Sequence, residues 1–197
     1  MIKLGVTGGI GSGKSIVCKL LSLHNIPIYD ADSEAKKLNN SSPIIKNKLI
    51  ERFGNTLYIN NKLDRQKLAN LIFNNKDNLQ YVNSVIHTEL AKHFLDWVQA
   101  YSTFDIIAID AAVLFEAGFQ KYVDKVITVT APINKRIERV SKRDNMTSEQ
   151  IQSRIKSQMS DEERIKLSNY VIINDDNISI IKQAQHIIQD IINPIRD

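Results

Sequence analysis

A single cysteine, Cys18, stands among the 197 residues. A disulfide framework within the chain is thereby excluded, and a reduced, cytoplasmic setting is expected. Cys18 lies beside Val17 and Leu20 in a helix-like segment, which suits a buried structural thiol. No stretch is long and apolar enough to span a membrane, and the first residues enter a strand-like run without the charged-then-apolar layout of a secretory leader, so no membrane partner is expected. No run of Lys and Arg resembles a nucleic-acid tail and no aromatic residues interleave with basic ones, so no nucleic-acid partner is expected either. Clusters of His and Cys at metal-ligand spacing are missing, and His24, His93 and His186 carry no signal. There are no repeats and no low-complexity linker.

What is present begins with Gly8-Gly9-Ile10-Gly11-Ser12-Gly13-Lys14-Ser15, which fits G-x-x-x-x-G-K-[ST]. Residues 2–6 read as a short buried strand and residues 14–23 as a helix, the context that this phosphate-binding loop requires. Backbone N–H groups at a helix N-terminus converge on phosphate oxygens. Gly11, Ser12, Gly13, Lys14, Ser15 and Ile16 are the expected cradle for the phosphates of a nucleoside triphosphate. Lys14 can reach the β- and γ-phosphates, and the Ser15 hydroxyl can ligate Mg²⁺. The net charge of +4 favours an anionic ligand, and the surplus is uneven, with nine Lys/Arg against six Asp/Glu from Lys135 to Lys166.

Five apolar runs read as strands: 2–6, 26–29, 104–109, 125–130 and 170–173. They are continuous and rich in β-branched residues, as expected for strands covered on both faces. Helical segments separate them, so the expected fold is α/β, a parallel five-stranded sheet flanked by helices. Residues 1–32, 102–134 and 168–197 form the expected nucleotide core. Residues 33–101 hold no convincing strand and read as a helical insertion, with helices over 43–53, 64–74 and 77–101 and a main loop from Gly54 to Asp64. Residues 135–167 read as a basic helical lid, in which Thr147-x-x-Gln150 and Ser160-x-x-Glu163 predict helix starts near 148 and 161. An amphipathic helix is expected over 178–192.

Ligands of open α/β sheets sit at the carboxyl ends of strands. Asp30-Ala31-Asp32 follows the second strand and Asp110 the third. If the extended conformation persists, Asp30 and Asp32 project to one side. One can then accept an acceptor's proton while the other orients it or holds a metal-bound water; alternatively Asp32 caps a helix starting near Ser33. Asp110 reads either as a Walker-B aspartate near Mg²⁺ or as a solvated strand-end carboxylate, and Glu116 as facing the same cleft or nothing. Arg136, Arg139, Arg143 and Arg154 suit a polyphosphate or an ordinary solvated basic face. His87 beside Val85 and Ile86 reads, on its own, as structural.

Taken together, Thr7 to Ser15, Asp30-Ala31-Asp32, Leu63-Asp64-Arg65, Ile86-His87, Asp110 with Leu114-Phe115-Glu116 and Gly118, Lys142-Arg143-Asp144, and Arg154-Ile155-x-x-Gln158 resemble the dephospho-CoA kinase family over residues 5 to about 175. The resemblance implies a P-loop nucleotide core with a CoA-binding helical part and a lid, and transfer of the ATP γ-phosphoryl group to the ribose 3′-hydroxyl of dephospho-CoA. It implies that Asp32 is the base or orienter for that hydroxyl and that Lys14 and Arg143 stabilise charge on the transferred group. It further implies that Ser15 and Asp110 serve Mg²⁺, that Arg65 and His87 lie on the acceptor side, and that Asn174 lies near adenine. Arg139, on the same helix face as Arg143, joins the expected nucleotide-binding set. Thr88 and Ala112 stand where the family commonly has proline, and Asn169 where it commonly has aspartate.

The residues alone leave another acceptor open, such as a nucleoside monophosphate or shikimate. A regulatory nucleotide switch is disfavoured, because Asn47-Lys48-Leu49-Ile50 lacks the aspartate of a guanine-reading N-K-x-D. ATP and the acceptor are the expected partners, with a monomer or weak homo-oligomer as the expected state.

Overall fold

The run Ile-Lys-Leu-Gly-Val-Thr forms β1 (Ile2–Thr7), and the glycine loop leads from it into α1 (Lys14–Leu23) and then β2 (Ile28–Asp30). Helices α2 (Ala31–Ser41) and α3 (Pro43–Phe53) follow, then a small hairpin of β3 (Tyr58–Ile59) and β4 (Lys62–Leu63), then α4 (Arg65–Phe73) and α5 (Lys76–Ala100). The chain continues through β5 (Ile106–Asp110), β6 (Lys125–Thr130), α6 (Ile133–Asp144), α7 (Ser148–Ser157), α8 (Asp161–Lys166), β7 (Tyr170–Ile173) and α9 (Ile180–Ile192). This computed structural model describes residues 1–193. They divide into two compact units: Met1–Tyr29 with the chain from Tyr101 onward, and Asp30–Ala100.

The first unit is built on a five-stranded sheet of order β2-β5-β1-β6-β7. β5, β1, β6 and β7 run parallel, with Val6 opposite Asp110 and Thr7 opposite Thr128. The register brings the phosphate loop after β1 level with Asp110 at the end of β5, so both emerge from the carboxyl edge of the sheet. Leu4, Val6, Ile127, Val129 and Ile172 are fully buried, and with Val17 and Leu21 of α1 and Ile187, Ile188 and Ile191 of α9 they form one apolar core. Each such aliphatic side chain contributes about 1.5–3 kcal/mol relative to exposure. Cys18 is buried in the same core at 6% exposure, as its apolar neighbours predicted.

Two of the sequence departures find a local explanation. Asn169 donates its N–H to Val126 O (3.0 Å) and accepts the Val126 N–H on Oδ1 (2.8 Å), so it closes the start of the β6–β7 ladder. Thr88 lies within α5, donating its hydroxyl to Ser84 O (2.7 Å), and α5 runs unbroken where a proline would remove an N–H.

The second unit packs its helices on a separate core of Ile45, Leu49, Leu57, Leu63, Leu68, Val82 and Val85. Its segment 54–64, expected as loop, contains an antiparallel hairpin with Tyr58 opposite Leu63. Asn60 and Asn61 turn it with φ of 48° and 63°, the left-handed pair that a two-residue hairpin needs and that asparagine tolerates. Two-residue strands are too short for alternation to be visible in the sequence.

A second expectation is corrected at α2. The chain does not stay extended through Asp32, and Asp32 is not the cap. Asp30 ends β2 and caps α2, accepting the Ser33 N–H on Oδ1 (2.9 Å) and the Ser33 hydroxyl on Oδ2 (2.7 Å). Asp32 is therefore exposed in the first turn of the helix, where a carboxylate suits the positive end of the dipole.

Candidate active site

Gly13 opens α1 at φ 98°, a left-handed conformation. A Cβ there would also fall 2.1 Å from the amide nitrogen of Asn174, so both backbone and space demand glycine. Asn174 is 4% exposed and donates its side-chain N–H to Ser12 O at 2.8 Å. Its backbone N–H continues the sheet by donating to Thr130 O (2.8 Å). The N–H groups that open a helix are the ones an anion can meet, and in α1 the Ile16 N–H already turns back onto Gly13 O (2.9 Å). Ser12 is 1% exposed, and its hydroxyl oxygen has no protein partner. Such an orphaned buried hydroxyl two residues before a helix start fits an anionic guest.

Lys14 and Asp110 form an ion pair across this end of the sheet, with side chains 14% and 12% exposed. Ser15 stands exposed in the first turn of α1. Among the described residues there is no cluster of three His, Cys, Asp or Glu able to cage a metal. One carboxylate and one hydroxyl beside a phosphate cradle are nonetheless a donor set that suits Mg²⁺, which keeps several waters and takes its other ligands from the phosphates.

Arg136, Arg139, Arg143 and Arg154 of the basic segment have different fates. Arg139 donates from Nη1 to Asn174 O (3.2 Å) and from Nη2 to Asn174 Oδ1 (3.2 Å) and Asp176 Oδ1 (2.8 Å), so it is tied through Asn174 to the phosphate loop. Arg143 is 64% exposed at the end of α6 and forks onto Asp144 with two bonds of 2.8 Å. Arg154 is exposed on α7. Arg136 is the exception to the picture of a solvated basic face: it is 3% exposed, donates Nε to Ile10 O (2.8 Å) and pairs Nη1 with Asp161 Oδ2 (3.0 Å). Burial pulls its guanidinium pKa down and Asp161 opposes that, yet an arginine remains charged.

Asp161, read from the sequence only as the first residue of a capped helix, also accepts the Thr130 hydroxyl (2.7 Å) and an N–H of the fully buried Arg164 (3.1 Å). Glu116 reaches Arg164 Nη2 at 3.4 Å and accepts the Met159 N–H at 3.2 Å. Gln158 Oε1 accepts the Ile10 N–H (2.9 Å). The segment expected as a lid is thus anchored by Arg136 and Arg164, and both capping boxes begin their helices where the sequence predicted.

In the second unit, Arg65 stands exposed at the first position of α4, which Asp64 caps by accepting the Lys67 N–H (2.9 Å). His87 lies half-buried on α5, and desolvation lowers its pKa below 6.5.

A parallel sheet with a clamped glycine loop after its first strand, a lysine opening the next helix and an aspartate ending the neighbouring strand defines a P-loop kinase fold. The fold is shared with shikimate kinase from Acinetobacter baumannii (TM-score 0.54, 16% identity, covering 100% of this chain and 96% of that one). It is shared more closely with dephospho-CoA kinase from Campylobacter jejuni (TM-score 0.71, 24% identity, 96% of each chain). The chain belongs to the dephospho-CoA kinase family, whose profile matches residues 2–179. Dephospho-CoA kinase of Bacteroides fragilis is 41% identical over 187 residues, 95% of this chain and 91% of the relative. That of Porphyromonas gingivalis is 39% identical over 192 residues, 97% and 95% respectively.

Proposed function

We propose that this chain transfers the γ-phosphoryl group of Mg-ATP to the ribose 3′-hydroxyl of dephospho-CoA, giving CoA and ADP. The observation that carries this reading is the phosphate loop, held open at the carboxyl edge of the sheet beside Lys14 and Asp110, in a chain of this family. The triphosphate lies in the loop with its charge met by backbone N–H groups and by Lys14, which exchanges Asp110 for phosphate oxygens. Arg139 and Asn174 border the nucleotide. Ser15 and Asp110 would hold Mg²⁺, which would supply positive charge against the triphosphate.

Asp32 accepts the proton of the 3′-hydroxyl. The freed oxygen forms its bond to the γ-phosphorus as the bond from that phosphorus to the β,γ-bridging oxygen breaks, and ADP departs with that bond's electrons. Lys14 and Arg143 meet the negative charge on the transferred group, Arg143 turning from Asp144 to do so. Arg65 and His87 serve the acceptor. Burial lowers the pKa of His87 and so favours the neutral imidazole, which can both donate and accept a hydrogen bond.

The test is ADP release from Mg-ATP with dephospho-CoA, AMP, shikimate or no acceptor, followed by locating the new phosphate on the product. Turnover with dephospho-CoA alone and phosphate on the ribose 3′-oxygen is the expected result. Turnover with another acceptor, or hydrolysis independent of acceptor, would overturn it.

A further inference from the structure

Ile10 is the one residue of the loop between Gly8 and Gly13 that lies between two glycines and carries a bulky side chain. Glycines on both sides leave the orientation of its peptide groups weakly determined by local sterics. The structure holds that residue from outside the loop instead. Its C=O accepts from Arg136 Nε (2.8 Å) and its N–H donates to Gln158 Oε1 (2.9 Å), partners 126 and 148 residues away in sequence. The Arg136 guanidinium lies so close beneath the loop that a Cβ on Gly9 would meet Nη2 at 2.3 Å.

Arg136 is in turn fixed by a chain of charged groups, of which the two arginines are buried. Its Nη1 donates to Asp161 Oδ2 (3.0 Å), Asp161 Oδ1 accepts from Arg164 Nη1 (3.1 Å), and Arg164 Nη2 reaches Glu116 (3.4 Å). Two arginines and two carboxylates give this chain no net charge. Burying the two guanidiniums costs several kcal/mol apiece, and well-packed apolar residues serve stability as well. What apolar residues cannot do is donate to a loop carbonyl. With Nε on Ile10 and Nη1 on Asp161, the guanidinium is placed to act on the loop's backbone.

We propose that Arg136 and Gln158 are positioning residues that set the Ile10 peptide groups, and so make triphosphate affinity depend on contacts made by α6 and the segment leading into α8. The inference rests on the reading that the loop holds the triphosphate, and on nothing about the acceptor. Arg136→Lys keeps the charge opposite Asp161 but lacks the planar fork that serves Ile10 O and Asp161 together. Gln158→Met keeps size and removes the acceptor.

The test is calorimetric binding of Mg-ATP without acceptor, and of dephospho-CoA without nucleotide, for wild type, Arg136→Lys, Gln158→Met and the double variant, each with its thermal midpoint. Expected are an ATP Kd raised about tenfold for Arg136→Lys and about threefold or more for Gln158→Met, the scale of one lost hydrogen bond. The double variant should fall short of the product of the singles, because both act on one residue. Dephospho-CoA Kd should stay constant. Gln158, only partly buried, carries the test alone if Arg136→Lys does not fold. A purely structural role moves the thermal midpoint and leaves the ATP Kd of folded Gln158→Met at the wild-type value; that result overturns the proposal. A wild type that binds Mg-ATP yet fails to phosphorylate dephospho-CoA overturns the acceptor reading and leaves this inference to the variants.

Discussion

All six polar or charged residues buried among the described residues, Thr7, Ser12, Thr128, Arg136, Arg164 and Asn174, lie in the unit that contains the phosphate loop. The unit Asp30–Ala100 buries apolar side chains and leaves Asp32 and Arg65 on its surface, with His87 half-buried. The first unit spends desolvation to hold backbone groups in one arrangement, as a cradle for phosphate requires. The second offers side chains standing on helices, whose positions are set by caps and an apolar core. A change in the first should therefore reach nucleotide binding through geometry, and a change in the second should act residue by residue on the acceptor.

The sharpest way to break this division is Lys14→Ala. Loss of kcat/KM by about a thousandfold or more is expected, with weakened Mg-ATP binding, in steady-state kinetics and calorimetry. Unchanged kinetics would remove the lysine from the site. Asp32→Asn is expected to leave the ATP Kd near wild type and to lower kcat by roughly a hundredfold or more, the scale of a lost general base. Near-normal turnover would refute its role. Gly13→Ala, forced against φ 98° and Asn174, is expected to raise the ATP Kd about tenfold and lower stability by about 1–3 kcal/mol in denaturant titration. An unaffected Kd would mean that the loop does not need its observed shape.

The smallest effect concerns His87. Burial lowers its folded pKa below 6.5, so the unfolded chain binds the proton more readily. Its contribution is fully present above pH 6.5 and is lost as pH falls through that value toward the folded pKa. His87→Gln should flatten that part of the acid slope of the thermal midpoint, and an unchanged slope would contradict the burial.

Much of the first unit was legible because its elements announce themselves locally. Residues 125–130 and 170–173 are continuous apolar runs, and the boundaries of β6 and β7 coincide with them. The loop motif fixes α1, and Thr147-x-x-Gln150 and Ser160-x-x-Glu163 fix α7 and α8. What was not legible depends on distant partners. Nothing near Arg136 distinguishes an arginine that salts a surface from one buried against Ile10, because its partners are far along the chain. Val140, four residues on, is buried on the same helix, yet a long cation beside an apolar residue ordinarily snorkels outward. Asp32 was the cap the sequence suggested, with the helix starting near Ser33; the helix starts at Ala31 instead, and Asp30 takes the Ser33 N–H. Side chains alone carry the expected acceptor site, Asp32, Arg65 and His87, so resemblance pointed to it where periodicity did not.

The central claim is that nucleotide handling and acceptor handling belong to different units. The most direct measurement is calorimetric binding of Mg-ATP and of dephospho-CoA, each alone, to wild type, Lys14→Ala and Arg65→Ala. Lys14→Ala should weaken Mg-ATP and spare dephospho-CoA, and Arg65→Ala should do the reverse. Equal weakening of both ligands by either substitution would contradict the account.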